Sequence, residues 1–284
     1  MIDLHMHTTA SDGLSSPDDL VSRVQRAGIR IFSVTDHDTM ASVAAATALA
    51  AEHGMTCVPG IEITSVDAGR NVHLLGYFLR ADSDALEALL ARIRALRVER
   101  AAEMASRLAA AGAPVDVDAL MRGSESGSGR SIGRPQVARA LVAAGHVATV
   151  AEAFDRYLCE DGCAYVPHRG PSPAEAIEAV RTAGGITSLA HPGTLGRDEL
   201  VPSLAGAGLA AIEVYHSAHD EAATRRYLDL ARARNLAVTG GSDFHGDGTR
   251  RSEFFGVVHL PPAEYERLAE RARGQRAAGE RSLA

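Results

Sequence analysis

His5 and His7 stand two residues apart in Met1-Ile-Asp-Leu-His-Met-His-Thr, close behind the apolar Ile2 and Leu4. Ile2 to His7 reads as a short strand, and side chains two apart on a strand point to the same face. The two imidazoles therefore project together and can chelate one cation, with Asp12 following in a Ser-Asp-Gly turn. A lone His-x-His is equally compatible with two surface histidines, so further ligands have to come from elsewhere in the chain. They recur at intervals: His37 in Asp36-His37-Asp38, Glu62 in Pro59-Gly60-Ile61-Glu62, then His73, His191, His216, and the pair Asp243 and His245. Oxygen and nitrogen donors without thiolate suit Mn²⁺, Fe²⁺ or Zn²⁺. A catalytic zinc needs about three protein ligands, so a set this large implies two or three ions with a carboxylate bridge. Clustered divalent ions of this kind can activate a bound water and neutralise negative charge.

The elements that must position these residues follow from the local signals. Ser16-Pro17-Asp18-Asp19 opens a helix with a Ser cap, Pro in the first turn and acids at the positive end of the dipole, and Gly28 stops it. Strands are expected over Ile29 to Thr35, Met55 to Ile61 and Asn71 to Leu79, with an alanine-rich helix before Gly54. The rhythm then breaks. Asp82-Ser83-Asp84 starts a long helix to about Ala111, followed by a short helix near Asp116 to Met121, a loop from Gly123 to Gly133, and helices around Pro135 to Ala144 and Thr149 to Leu158. Alternation resumes with a helix capped by Ser172 and Glu175, and with strands over Gly185 to Ala190, Leu209 to Tyr215 and Leu236 to Gly241. A polar helix runs from Pro262. Strands alternating with helices imply an α/β protein with a largely parallel sheet. Seven such units suggest a closed or nearly closed barrel, formed by 1–79 and 166–284 and interrupted by a helical insertion over 80–165. In parallel α/β folds the site lies at the carboxyl ends of the strands, where the candidate ligands fall.

With 284 residues and 46% apolar content the chain can bury a full core. No apolar run is long enough to span a membrane, and neither a membrane span nor a signal peptide is expected. Cys57, Cys159 and Cys163 suit a reducing compartment, and a cytoplasmic location is expected. Cys159-x-x-x-Cys163 lacks a second pair nearby and reads as ordinary thiols. A formal charge of −7 argues against general binding to a nucleic-acid backbone. There is no lysine, so neither a Schiff base nor a carboxylated lysine bridge is available.

His-Met-His-Thr, Ser-Asp-Gly, Thr-Asp-His-Asp, Pro-Gly-Ile-Glu, His-Leu-Leu-Gly-Tyr, Ala-His-Pro and Gly-Ser-Asp-Phe-His, in this order from Met1 to about Gly246, resemble the PHP (polymerase and histidinol phosphatase) superfamily of metal-dependent phosphoesterases. The length, the place of the insertion and Tyr165-Val166-Pro167 look most like the small members that act as 3′,5′-nucleoside bisphosphate phosphatases and 5′→3′ trimming nucleases. The resemblance implies a distorted (β/α)7 barrel with a helical cap, binding two to three divalent ions, manganese first and iron or zinc as alternatives. It implies that His5, His7, Glu62 and Asp243 hold one ion, that Glu62 bridges to a second held by His73 and His191, and that Asp12, His37 and His245 hold a third. Asp36 and Asp38 are expected to orient imidazoles from behind. Asp243, His191 and His216 are the catalytic candidates, His216 lying off the motifs with a hydrogen-bonding role near the leaving group. His53, His146 and His259 read as surface residues.

On the long helix Arg97 and Arg100 sit three apart, hence on one face, and Arg134 starts another helix. Arginine holds phosphate through a planar fork. With the resemblance, these three become the expected grip on a second phosphate, although Gln136 stands where relatives often carry histidine. The implied activity is removal of the 3′-phosphate from a 3′,5′-bisphosphonucleoside such as pAp. Stepwise release of mononucleotides from short 5′-phosphorylated RNA is the alternative, with a histidinol-phosphatase-like or amidohydrolase-like hydrolase behind it. The partners expected are a small nucleotide or short oligonucleotide, with no membrane and no stable protein partner.

Overall fold

The computed structural model describes residues 1–80, 82–116, 120, 131–249 and 251–283, the side chains of 279–283 apart. Seven strands lie side by side in chain order: β1 (Ile2–Asp3), β2 (Ile31–Val34), β3 (Thr56–Asp67), β4 (Arg70–Tyr77), β5 (Ile186–Leu189), β6 (Ala211–His216) and β7 (Ala237–Gly241). Between them run the helices Pro17–Arg26, Val43–Glu52, Pro173–Thr182 and Glu221–Ala233. The helix ends are set by the expected side chains. Ser16 accepts a bond from the Asp19 N–H, and Ser172 and Glu175 close a reciprocal capping box.

The sheet is less parallel than the alternation implies. β1–β2, β2–β3, β5–β6 and β6–β7 pair in parallel, whereas β4 runs antiparallel to both β3 and β5. The cause is the two-residue connection Ala68-Gly69, with φ of 47° and 77°. Two central residues at positive φ form a hairpin turn that reverses the chain, and a parallel return would need a crossover of roughly a dozen residues. The hairpin also lengthens β3 beyond the expected end at Ile61, because Gly60 to Asp67 pair with Tyr77 to Arg70. Gly60 sits at the changeover, where a Cβ would run into the Ser33 hydroxyl. At the outer edges, Leu4 N–H donates to Gly240 O at 3.1 Å, Asp243 N–H to His5 O at 2.8 Å and His7 N–H to Phe244 O at 2.9 Å. These are isolated bonds and not a ladder, so strand pairing does not close the sheet into a barrel. They explain why only Ile2–Asp3 of the expected Ile2–His7 strand pairs with β2.

Ile61, Ile63, Leu74, Leu75, Tyr77, Ile186, Ile212 and Val214 form the centre of the main core. A separate apolar cluster, including Ala101, Met104, Leu108, Val137, Leu141 and Leu158, lies within the stretch expected as an insertion and reaches Val166 just beyond it. That stretch contains the helices Asp84–Ala110 and Arg134–Ala143 and a short helix Val150–Ala153 that runs into a π turn, Phe154–Leu158. The expected short helix near 116–121 and the 123–133 loop fall mostly outside the described residues. Among the described residues no helix is long and apolar enough to cross a membrane.

Candidate metal centre

The ten residues singled out along the chain as donors arrive at one place. His5 and His7 lie just after β1, Asp12 in the following turn, His37 after β2, Glu62 within β3 and His73 within β4. His191 follows β5, His216 ends β6, and Asp243 and His245 follow β7. Glu62, 1% exposed, is the hub. Its Oε2 is 3.2 Å from His5 Nε2, 3.2 Å from His7 Nε2 and 3.3 Å from His37 Nδ1. Its Oε1 is 2.8 Å from His73 Nδ1 and 3.1 Å from His191 Nε2. Asp243 Oδ1 lies 3.3 Å from both His5 Nε2 and His7 Nε2, and Asp12 Oδ1 lies 3.3 Å from His245 Nε2.

Several of these short approaches are not hydrogen bonds. Both nitrogens of His7, Nδ1 of His37 and Nδ1 of His73 are buried and have no hydrogen-bond partner among the described residues, although carboxylate oxygens lie within about van der Waals distance of most of them. Buried polar atoms are almost always satisfied. Lone pairs that approach one another yet miss each other's axes are aimed at a common point between them, which is how ligands of a cation are arranged. The outer ring nitrogens support this. His5 Nδ1 bonds Glu213 Oε1 at 2.9 Å and His245 Nδ1 bonds the Asp243 carbonyl at 2.9 Å, so the remaining Nε2 atoms face inward as acceptors. Four overlapping groups can each hold an ion: His7, Asp12, His37 and His245; His5, His7, Glu62 and Asp243; His37, Glu62 and His73; and His5, Glu213 and His216. The donor set fits divalent metal.

The electrostatics point the same way. Burial raises Glu62, but the imidazoles of His37, His73 and His5 outweigh it and hold the carboxyl well below the usual range. Burial also opposes ionisation of Asp12 and Asp243, and nearby histidines keep both ionised. His7 is disfavoured as a cation by burial, yet the carboxylates of Asp243 and Glu62 close to its Nε2 lift it to about 10. His37 loses the same contest and falls to about 3. The buried carboxylates thus draw positive charge to this point.

A PHP-domain family model matches residues 3–157, more than half of the chain. The chain belongs to the PHP family. This PHP protein is 34% identical over 267 residues to a 3′,5′-nucleoside bisphosphate phosphatase of Chromobacterium violaceum, covering 92% of this chain and 93% of that one. It is 33% identical to the 5′-3′ exoribonuclease Rnm of Salmonella typhimurium, over 86% of this chain and 84% of the other. It is 34% identical to the phosphoribosyl 1,2-cyclic phosphate 1,2-diphosphodiesterase of Eggerthella lenta, over 86% and 94%. A crystal structure assigned as a metal-dependent phosphoesterase from Bifidobacterium adolescentis superposes with a TM-score of 0.87 at 33% identity, covering 95% of this chain and 96% of that one. The protein is a metal-dependent phosphoesterase of mixed α/β fold.

The remaining expectations fare unevenly in this PHP protein. His216 does reach the centre, 3% exposed, with Nε2 at 3.4 Å from Asp243 Oδ2 while Nδ1 accepts the Ala218 N–H. Asp36 and Asp38 do not orient imidazoles. Asp36 accepts bonds from Thr8, Ser11 and Ser42, and Asp38 accepts the Thr64 N–H and pairs with Arg97, so both tie rim loops together. Arg97, Arg100 and Arg134 converge on a cavity of about 170 Å³ that also touches Asp12, His37 and His73. Arg97 is already engaged, with Nε at 2.6 Å from Asp38 Oδ2, Nη1 at 2.9 Å from Ile132 O and Nη2 at 2.8 Å from Thr64 Oγ1. Arg100 uses Nε on Val166 O at 2.8 Å, and Arg134 lies against the Phe154 and Tyr165 rings. Gln136 spans Gly133 N–H and Ser11 O, joining the insertion to the rim. His53 and His259 are exposed, as expected, and His146 is half-buried.

Three residues escape a reading of the sequence. Glu213, fully buried, accepts from His5 Nδ1 with one oxygen and from the His191 N–H at 2.7 Å with the other. Its signal is a lone acid inside the apolar strand Ala211-Ile-Glu-Val-Tyr. Arg251 contacts Asp243 Oδ2, and His168 is buried beside the arginines. Neither carries a motif that marks it.

Proposed function

We propose that this phosphoesterase removes the 3′-phosphate from 3′,5′-bisphosphonucleosides, with the reacting phosphoryl group at the His/Asp/Glu centre and the 5′-phosphate held by Arg100 and Arg134. The observation that carries this reading is a pair of guanidiniums, Arg100 buried and Arg134 half-buried, opening onto the same cavity as the metal centre. Among the described residues neither has an acidic partner, and Arg100 is pulled down to about 10 by burial and by the charges of Arg134 and Arg97. Cations held together without an anion make a site for one. Arg97 braces that site by tying the long helix to Asp38 and to the 131–133 segment.

Two to three divalent ions, manganese first, fit the ligand groups: His5, His7, Glu62 and Asp243; Glu62, His73 and His191; Asp12, His37 and His245. When bound they would supply neutralisation of phosphoryl oxygens and activation of water. The chain's own residues do the rest. Glu213 holds the His5 ring and the His191 backbone, the latter at φ 30°, in place. His216 donates toward Asp243 and sets that carboxylate, a positioning role in place of the leaving-group contact expected of it. The deep siting beneath the insertion excludes bulk water from the buried acids. We read 80–165 as a cap with its own apolar cluster, and the remainder as a distorted barrel whose outer edges meet through the bonds of Leu4 with Gly240, His5 with Asp243 and His7 with Phe244.

A second reading, 5′→3′ trimming of short RNA, is favoured by a neighbouring cavity of about 230 Å³ that shares Asn71, His73 and Arg134 and adds Arg70, Tyr165 and His191. It offers room for a nucleotide on the 3′ side. The discriminating experiment measures product release by the Mn²⁺-loaded protein from pAp, 3′-AMP, 5′-AMP, pApA, histidinol phosphate and phosphoribosyl 1,2-cyclic phosphate. Preference for pAp over 3′-AMP, with 5′-AMP poor, is expected. Faster turnover of the cyclic diester or of histidinol phosphate would remove the bisphosphate assignment, and faster turnover of pApA would favour the nuclease.

A further inference from the structure

His168 is 7% exposed, and among the described residues neither of its ring nitrogens has a hydrogen-bond partner. Ser131, 4% exposed, has a hydroxyl that is likewise unpartnered among the described residues. Both line the cavity between the arginines and the metal centre. Two buried, unsatisfied polar groups in one cavity call for a ligand, because burying such groups unpaired is unfavourable unless something binds them.

The position of His168 says what that ligand carries. Arg97 and Arg100 act most strongly on the imidazole, and His73 and His37 after them, and all four line the same cavity as His168. The ring thus shares one space with the phosphate anchor and the reacting centre. Burial and the two guanidiniums keep the ring neutral, at about 2. A neutral imidazole has one donor and one acceptor, and a serine hydroxyl offers both as well. That inventory matches a hydroxyl group better than a phosphate, for which the arginines already provide charge.

We propose that His168 and Ser131 are specificity-determining residues that hydrogen-bond the sugar joining the two phosphates, reading its 2′-hydroxyl. The inference rests on the bisphosphate reading above. Bonds to its backbone carbonyls fix the segment carrying His168 at both ends. Arg100 Nε donates to Val166 O on one side, and the Val66 N–H donates to Pro171 O at 2.8 Å on the other.

The test compares kcat/KM of the Mn²⁺-loaded protein on adenosine 3′,5′-bisphosphate and on its 2′-deoxy analogue, for wild type, His168→Leu, His168→Asn and Ser131→Ala. Wild type should favour the ribonucleotide by about five- to tenfold, the worth of one neutral hydrogen bond to a buried group. His168→Leu should bring that ratio toward one, His168→Asn should restore part of it, and the ligand-free melting temperature should not fall, since no protein bond is lost. Ser131→Ala, too small a change to disturb folding, should lower the ratio independently. A wild-type ratio of one, or equal losses on both substrates in His168→Leu and Ser131→Ala, overturns the inference. Failure of the bisphosphate reading shows separately, in wild type, as no preference for the bisphosphate over 3′-AMP.

Discussion

Replacing Arg100 by methionine separates the anion site from the fold. The side chain is 8% exposed, so its electrostatics are little screened by solvent. Its fall to about 10 corresponds to roughly 3 kcal/mol against the charged form, present at every pH below about 10. Methionine removes that penalty and fills much of the same volume. The lost Nε bond to Val166 O, made by a charged donor, offsets about 1.5–3 kcal/mol. The ligand-free variant should therefore be at least as stable as wild type, gaining up to about 1.5 kcal/mol, which is a few degrees in melting temperature. Activity should move the other way. A charge-assisted contact to phosphate is worth about 1.5–3 kcal/mol, so kcat/KM for pAp should drop about ten- to a hundredfold. With 3′-AMP, which lacks the 5′-phosphate, the drop should be slight. Phosphate release and thermal melts on the same preparations measure both. A lower melting temperature together with equal losses on the two substrates would refute the reasoning, and Arg100 would then be a brace like Arg97.

Glu62→Gln removes the charge shared by five imidazoles, and metal analysis after desalting should show fewer equivalents bound than in wild type, with activity lost more completely than in any single-histidine variant. Chelator treatment should abolish wild-type activity, and fully active protein carrying one equivalent or none would contradict a multinuclear centre. Glu213→Gln should weaken metal binding by about ten- to a hundredfold, as for other outer-shell partners, which competition with a metal indicator would read directly. Because His7 stays protonated to about 10, metal uptake at neutral pH should release protons and tighten as pH rises, visible as a buffer-dependent binding enthalpy.

Much of this protein is local and legible along the chain. The Ser16 and Ser172 caps, the glycine stops, and the placing of His37, His191 and Asp243 just past apolar runs follow from short-range rules about turns, caps and strand ends. The ligand set is readable for the same reason: donors past strand ends must gather wherever those ends gather. What escapes depends on partners distant in sequence. The Ala68-Gly69 hairpin turns β4 against its neighbours, and backbone bonding of His5 and His7 to the segment after β7 cuts β1 short. Asp38 is expected behind an imidazole, yet it pairs with Arg97, 59 residues away. Glu213 reaches His5 across 208 residues, and no spacing rule connects them. The sequence alone determined which residues could bind metal and phosphate. The tertiary structure decided which charges are paired and which are left open, because burial and pairing are properties of the packed chain and not of any segment within it.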